Sequence, residues 1–154
     1  PEITNRYKKV ASKADFNLGD FDLQTYVSLK DKLAESYIIK TYWHQNTLVG
    51  FMSGMLVNNS LDAHFVGIDY RLNKQLAIYQ RMLYDYVQIA IDKKINTINF
   101  GRTASEIKSS IGAVPQELTC YIRHKKSLTN KFLKPFLNYI EPKPFKQKKP
   151  FKKT

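Results

Sequence analysis

Few side chains in this sequence can do chemistry, and they are scattered. Lys108, in Ile107-Lys-Ser-Ser-Ile111-Gly112, is a cation on a short element where it can stabilise an oxyanion or a phosphate. An exposed helix lysine is the plainer account. Arg102 follows Gly101 at the end of an apolar run, where open α/β sheets place ligands, and a guanidinium suits phosphate or carboxylate. A pair with Glu106, four residues on, explains it as well. Glu106 has the proton-accepting chemistry an attacking amine requires, although Thr103-Ala-Ser-Glu106 already accounts for it as a capping box. Tyr121, one of ten tyrosines, can protonate a leaving group. His64 and Asp69 sit in one apolar stretch, where a lone histidine reads as a packing residue. Cys120 has no histidine near it in sequence and reads as buried and inert.

Several chemistries are excluded. One cysteine and three separated histidines (His44, His64, His124) are too few for a zinc site. No P-loop, GxGxxG or Ser-His-Asp order is present. A single cysteine rules out an intramolecular disulfide and fits a reducing, cytoplasmic setting. The opening is polar and basic, unlike a signal peptide, and no apolar run approaches the roughly 20 residues that span a bilayer. The chain starts at Pro1, which fits either a trimmed Met-Pro start or a piece of a longer protein.

The 154 residues carry 25 Lys and Arg against 13 Asp and Glu, a formal +12. That charge invites a nucleic-acid or membrane-surface reading. Its distribution argues otherwise: residues 123–154 hold eleven basic residues and one acid, whereas residues 1–122 are nearly neutral. The excess belongs to the last fifth of the chain.

The elements that must position these residues follow from periodicity. Residues 1–19 read as a polar lead-in or the remnant of an upstream element. Phe21, Leu23, Tyr26, Val27, Leu29 and Leu33 recur at near-helical spacing and predict a helix over 22–34, capped by Asp20 or Asp22. Strands are predicted over 37–43, 47–57 and 61–70, joined by Gln45-Asn46 and Asn58-Asn59-Ser60 as an antiparallel meander. Leu76, Tyr79, Leu83, Tyr86 and Ala90 predict a long helix over 76–92, with Asn73 as its N-cap and a face wide enough to pack on a sheet. A buried strand over 95–100, a short helix from Thr103 through Ile111, a strand over 118–123 and a helix over 127–140 kinked at Pro135 complete the body. Residues 141–154, a Pro/Lys/Phe tail, are expected to be extended and poorly packed. The order implies an α+β (mixed α/β) fold, in which the third strand and the one after the long helix lie parallel. The N-terminus of that helix then makes an anion-binding corner.

Three segments carry a resemblance: His64-Phe-Val-Gly-Ile-Asp-Tyr70, Tyr79-Gln-Arg-Met-Leu-Tyr-Asp-Tyr86, and Asn99-Phe-Gly-Arg-Thr-Ala-Ser-Glu-Ile-Lys-Ser-Ser-Ile-Gly-Ala113. With the element order, residues 20–140 resemble the acyl-CoA N-acyltransferase (GNAT) superfamily, and more narrowly its bacterial GNAT-like and Fem-type peptidyltransferase branch. The resemblance implies an antiparallel meander continuing into a β-α-β crossover, and an acyl-transfer site to which Lys108 contributes. It also implies a strand bulge at Gly67 offering a backbone N–H to a thioester carbonyl, and Tyr121 as the acid for the leaving group. Where many GNAT enzymes carry a glycine-rich pyrophosphate loop, this chain has Arg71-Leu-Asn-Lys-Gln-Leu-Ala77 without glycine. Arg71, Asn73, Lys74 and Gln75, with Arg102, are the residues left to meet a donor's phosphates. Fem-type enzymes carry two such domains, and this chain has room for one.

The reading that follows is an N-acyltransferase with no permanently bound cofactor or metal. Its donor is acyl-CoA or aminoacyl-tRNA and its acceptor a small-molecule or peptide amine. The competing reading is a non-catalytic GNAT-like binding domain whose basic tail contacts nucleic acid or an anionic membrane surface. For the membrane, Leu128, Phe132, Leu133, Phe136 and Leu137 with Lys131 and Lys134 make a basic amphipathic segment, although packing on the core explains its apolar side equally well. Oligomeric state is not readable from the sequence.

Overall fold

A computed structural model describes residues 23–119, 121–127, 129–131, 133 and 144–151. The chain divides into two compact units, one ending at Thr103 and the other beginning at Ala104.

In the first unit, helix α1 (Leu23–Leu33) leads through a 3-10 turn (Ala34–Ser36) into strands β1 (Tyr37–His44), β2 (Thr47–Val57) and β3 (Ser60–Ile68). The β1–β2 turn holds Gln45 and Asn46 at φ 46° and 60°, the left-handed pair that a tight two-residue hairpin requires. Helices α2 (Tyr70–Leu76) and α3 (Ile78–Asp92) and strand β4 (Thr97–Asn99) follow. The sheet order is β1-β2-β3-β4, antiparallel up to β3, with β4 parallel to β3. This is the mixed sheet and the parallel pair that the order of elements implied.

Each sheet face carries its own cluster. Val49, Met52, Leu61, Ile68, Ile78, Met82, Tyr86 and Ala90 form the core between the sheet and α3. Tyr26, Tyr37 and Phe51 form the other, with α1. A bulge in β3 keeps the first core on one side. Met52 pairs with Val66 and Gly54 with Ala63, so His64 and Phe65 together oppose Ser53. Strand side chains alternate between faces, and the extra residue resets that alternation. Leu61 and Ala63 before the bulge and Val66 and Ile68 after it therefore all pack toward α3. Ser53 fastens the bulge, its Oγ accepting from the Phe65 N–H at 3.0 Å and donating to the Phe65 carbonyl at 3.2 Å. Close packing also fixes Gly50, where a Cβ would come within 2.7 Å of the Met82 methyl and 3.0 Å of Ile78.

Five expectations need correction in this unit. The third strand stops at Ile68, because Asp69 leaves the sheet to cap a helix. The predicted single helix is two, broken at Ala77 in the left-handed region at φ 49°. Asn73 lies inside α2 and still caps α3, its Oδ1 accepting from the Tyr79 N–H at 2.9 Å. The strand after α3 is three residues long with Thr97 and Asn99 exposed, not a buried six-residue strand. The bulge lies at His64–Phe65, and Gly67 is in regular register with Phe51.

In the second unit, helix α4 spans Ser105–Ser109, with Ala104 as its N-cap at φ 55° and no side-chain cap bond, so Thr103 and Glu106 form no capping box. The predicted strand over 118–123 is not formed by its described residues. Leu118, Tyr121 and Ile122 are exposed, and without a partner strand a chain has no ladder to join. Ser127, Thr129–Lys131 and Leu133 are helical. Asp20, Asp22, Cys120, Pro135 and most of the amphipathic segment lie outside the described residues. The tail over 144–151 has no regular secondary structure, and it is not loosely packed, since it bonds to α4 and the turn after it. Among the described residues no helix is long and apolar enough to cross a membrane.

Candidate functional site

The corner where β3 passes into α2 and α3 was expected to hold a donor's phosphates. Asp69 organises it. Its N–H donates to the Val49 carbonyl at 2.7 Å, and its carboxylate caps α2 by accepting from the Arg71 N–H at 3.0 Å. The same carboxylate takes the Arg71 guanidinium in two contacts, Nε to Oδ1 at 3.3 Å and Nη2 to Oδ2 at 3.1 Å. That hydrogen bond and the Asp69 charge push the Arg71 pKa up. Arg71 therefore meets its carboxylate within the fold, while its remaining N–H groups point into solvent, the side chain being 83% exposed. Asn73 uses its side-chain carbonyl on the second N–H of α3, so the helix end predicted to bind an anion is partly satisfied from within. Lys74 and Gln75 are exposed on α2.

Gly67 and Arg102 lie elsewhere in the same unit. Gly67 is buried, and its carbonyl lies against Gly50, 3.0 Å from where a Cβ there would sit. The ladder between β3 and β4 joins Ser60–Asp62 to Thr97–Asn99, and β3 then runs on through Ala63–Ile68, paired to β2 on either side of the bulge at His64–Phe65. Gly101, at φ 68°, turns the chain after β4, its N–H donating to the Asn99 side chain at 2.9 Å, and Arg102 follows exposed. His64 packs on the α1 face, its ring 4.0 Å from that of Phe65 and its Nδ1 3.4 Å from the Tyr37 hydroxyl. Burial lowers its pKa, as expected of a packing histidine.

In the second unit Lys108 lies in the last turn of α4 and is 7% exposed. Its carbonyl accepts from the Ile111 and Ala113 N–H groups at 3.2 and 3.3 Å, which closes the helix into the turn at Gly112. Burial favours the neutral amine and brings its pKa down to about 8, so this is not an exposed helix lysine. Glu106 pairs with Lys148 at 3.7 Å. Tyr121 is 93% exposed on irregular chain. Among the described residues no three His, Cys, Asp or Glu side chains come together as a metal site.

A polar cluster that the sequence reading missed lies between α3 and β1. Asp85, 3% exposed on α3, accepts from the Tyr42 hydroxyl at 2.6 Å and pairs with Lys40 at 3.0 Å and Arg81 at 3.1 Å. Burial alone would raise its pKa; Tyr42, Lys40 and Arg81 outweigh that and hold it below the usual value. Both oxygens are engaged and the group stays charged, so it locks a helix to a strand rather than accepting protons. Arg81 and Asp85 stand four apart in sequence, which was a legible pairing signal, but nothing local points to Tyr42 or Lys40.

No protein-family model matches the chain, and no curated protein sequence does. Solved structures do. The ribosomal-protein-S18-alanine N-acetyltransferase from Escherichia coli superposes at a TM-score of 0.53 with 13% identity, over 71% of this chain and 66% of that one. An aminoglycoside acetyltransferase from an uncultured soil metagenomic sample does so in two complexes. With sisomicin the TM-score is 0.55, with trehalose 0.57, each at 12% identity over 80% of this chain and 87% of that one. The fold is that of the GNAT acyltransferases.

Proposed function

We propose that the chain is an N-acyltransferase that moves an acyl or aminoacyl group from a thioester or ester donor to an amine by direct attack. The observation that carries the reading is the short parallel ladder between β3 and β4, in a fold shared with N-acetyltransferases. Beyond that ladder β3 extends past its parallel neighbour, and an extended acyl donor would lie along it. In the reaction the amine nitrogen attacks the donor carbonyl and an oxyanion forms. The carbon–sulfur or carbon–oxygen bond then breaks, the leaving group takes a proton, and the new ammonium gives one up. Lys108, cationic below about pH 8, supplies positive charge for the oxyanion, and Tyr121 the leaving group's proton. Arg71, Lys74, Gln75 and Arg102 supply donors for a phosphate-bearing donor. Acyl-CoA is one such donor. The Fem-type resemblance adds aminoacyl-tRNA, and a small-molecule or peptide amine is the acceptor.

One observation favours the non-catalytic reading. Asp69 and Asn73 satisfy from within much of the corner that would grip the donor. Thermal melting with CoA, acetyl-CoA and an aminoacyl-tRNA separates the two. Under the transferase reading one of these raises the melting temperature, and Lys108→Ala or Arg102→Ala removes the rise. If none of them shifts it, the transferase reading fails and the binding-domain reading stands.

A further inference from the structure

We propose that residues 144–151 form a strap over residues 105–113, and that release of this strap governs access to Lys108. Every contact concerned lies within the second unit. The Gln147 amide donates to the Ala113 carbonyl at 2.9 Å, and the Lys148 N–H donates to the Ser109 Oγ at 3.0 Å. The Lys148 ammonium pairs with Glu106 at 3.7 Å. At Gly112, φ 88°, a Cβ would overlap the Phe151 ring, so the ring occupies the space that glycine leaves open. Glu106 and Ser109 stand three apart on α4, and Gly112 and Ala113 lie in the turn that closes it. Lys108 lies within that span.

These contacts suit a part that opens. The ion pair joins side chains 50% and 58% exposed, and Phe151 remains 73% exposed. A segment held by two part-buried hydrogen bonds, a half-exposed ion pair and one ring edge opens more readily than a core element. The anchors Gln147, Lys148 and Phe151 lie within five residues, so losing one loosens its neighbours. The strap also accounts for the Ser109 hydroxyl, which donates to the Glu106 carbonyl at 2.6 Å while accepting from Lys148.

The test is pulse acetylation of the full chain with acetic anhydride, read lysine by lysine by mass spectrometry, with exposed Lys93 and Lys94 as internal references. Phe151→Ala and Gln147→Ala are each expected to speed Lys108 modification by about fivefold or more, with the references unchanged. In the wild-type protein, raising NaCl from roughly 0.05 to 0.5 M weakens the Lys148–Glu106 pair and speeds the same modification. Lys108 rates that stay at the wild-type value in both variants and across the salt series overturn the proposal. The readout is amine access and not donor binding, so the strap and the acyl-transfer reading fail independently.

Discussion

The Tyr42 hydroxyl donates a 2.6 Å hydrogen bond to Oδ2 of Asp85, tying edge strand β1 to helix α3 through a carboxylate that is 3% exposed. The same hydroxyl lies 2.9 Å from the Met52 sulfur, so one phenol touches β2 as well. Burial and the carboxylate beside it raise the Tyr42 pKa, so the donor keeps its proton at any working pH. Tyr42→Phe removes one of three donors to a buried charge and is expected to cost about 1–2 kcal/mol in urea unfolding. A variant as stable as the parent would show that Lys40 and Arg81 suffice.

The same carboxylate sets an acid limb. Its folded pKa lies below the ordinary value, so the stability it contributes is complete above the unfolded pKa, about 4, and is lost as pH falls through the folded one. Asp85→Asn should be less stable at neutral pH, and its stability should fall less steeply between roughly pH 4 and 2. Parallel acid limbs in the two proteins would contradict the assignment.

Lys108 has the opposite sign. Its amine titrates at about 8 in the folded chain against 10.5 in the unfolded. The unfolded state therefore holds the extra proton across that interval, and stability rises with pH there. Lys108→Met is expected to be more stable than the parent at pH 7, with the difference shrinking as pH climbs from about 8 toward 10.5. Melting temperatures across that range decide it.

Helix α3 ends with the Ile95 N–H on the Ala90 carbonyl at 2.8 Å and the Lys94 N–H on the Ile91 carbonyl at 3.1 Å, which places Lys94 at φ 55°. Glycine adopts that conformation without strain. Lys94→Gly should stabilise the chain by about 0.5–1 kcal/mol, whereas Lys94→Val should destabilise it.

Asn73→Ala leaves the Tyr79 N–H without its side-chain acceptor. A loss of about 1 kcal/mol is expected, together with faster amide exchange at Tyr79 and little change in the β1–β2 hairpin.

The meander, the long apolar helix and the parallel pairing were legible because each rests on local pattern: Asn-rich turns, alternating apolar residues, and Leu83, Tyr86 and Ala90 on one helix face. The break at Ala77 was not legible, since alanine favours helix and only the folded chain holds it left-handed. The β3 bulge was assigned to Gly67 because glycine signals irregularity, yet Ser53 on the neighbouring strand fixes it at His64–Phe65. Local pattern also made Leu118–Arg123 a strand, but strands form only with a partner. Lys108 was singled out from its segment; its burial, which sets its titration, could not be read there.

The β3 bulge also gives that strand something like a reading frame. Deleting one residue between Ala63 and Val66 would remove the bulge and leave regular alternation, with Val66 still opposite Met52 and Ile68 still facing the core. Deleting two would turn both away from Met82 and Tyr86. The strand therefore accommodates the loss of one residue here, but not of two. In diverged relatives, a single-residue gap at this point would mark a strand that has lost its bulge and kept its core face.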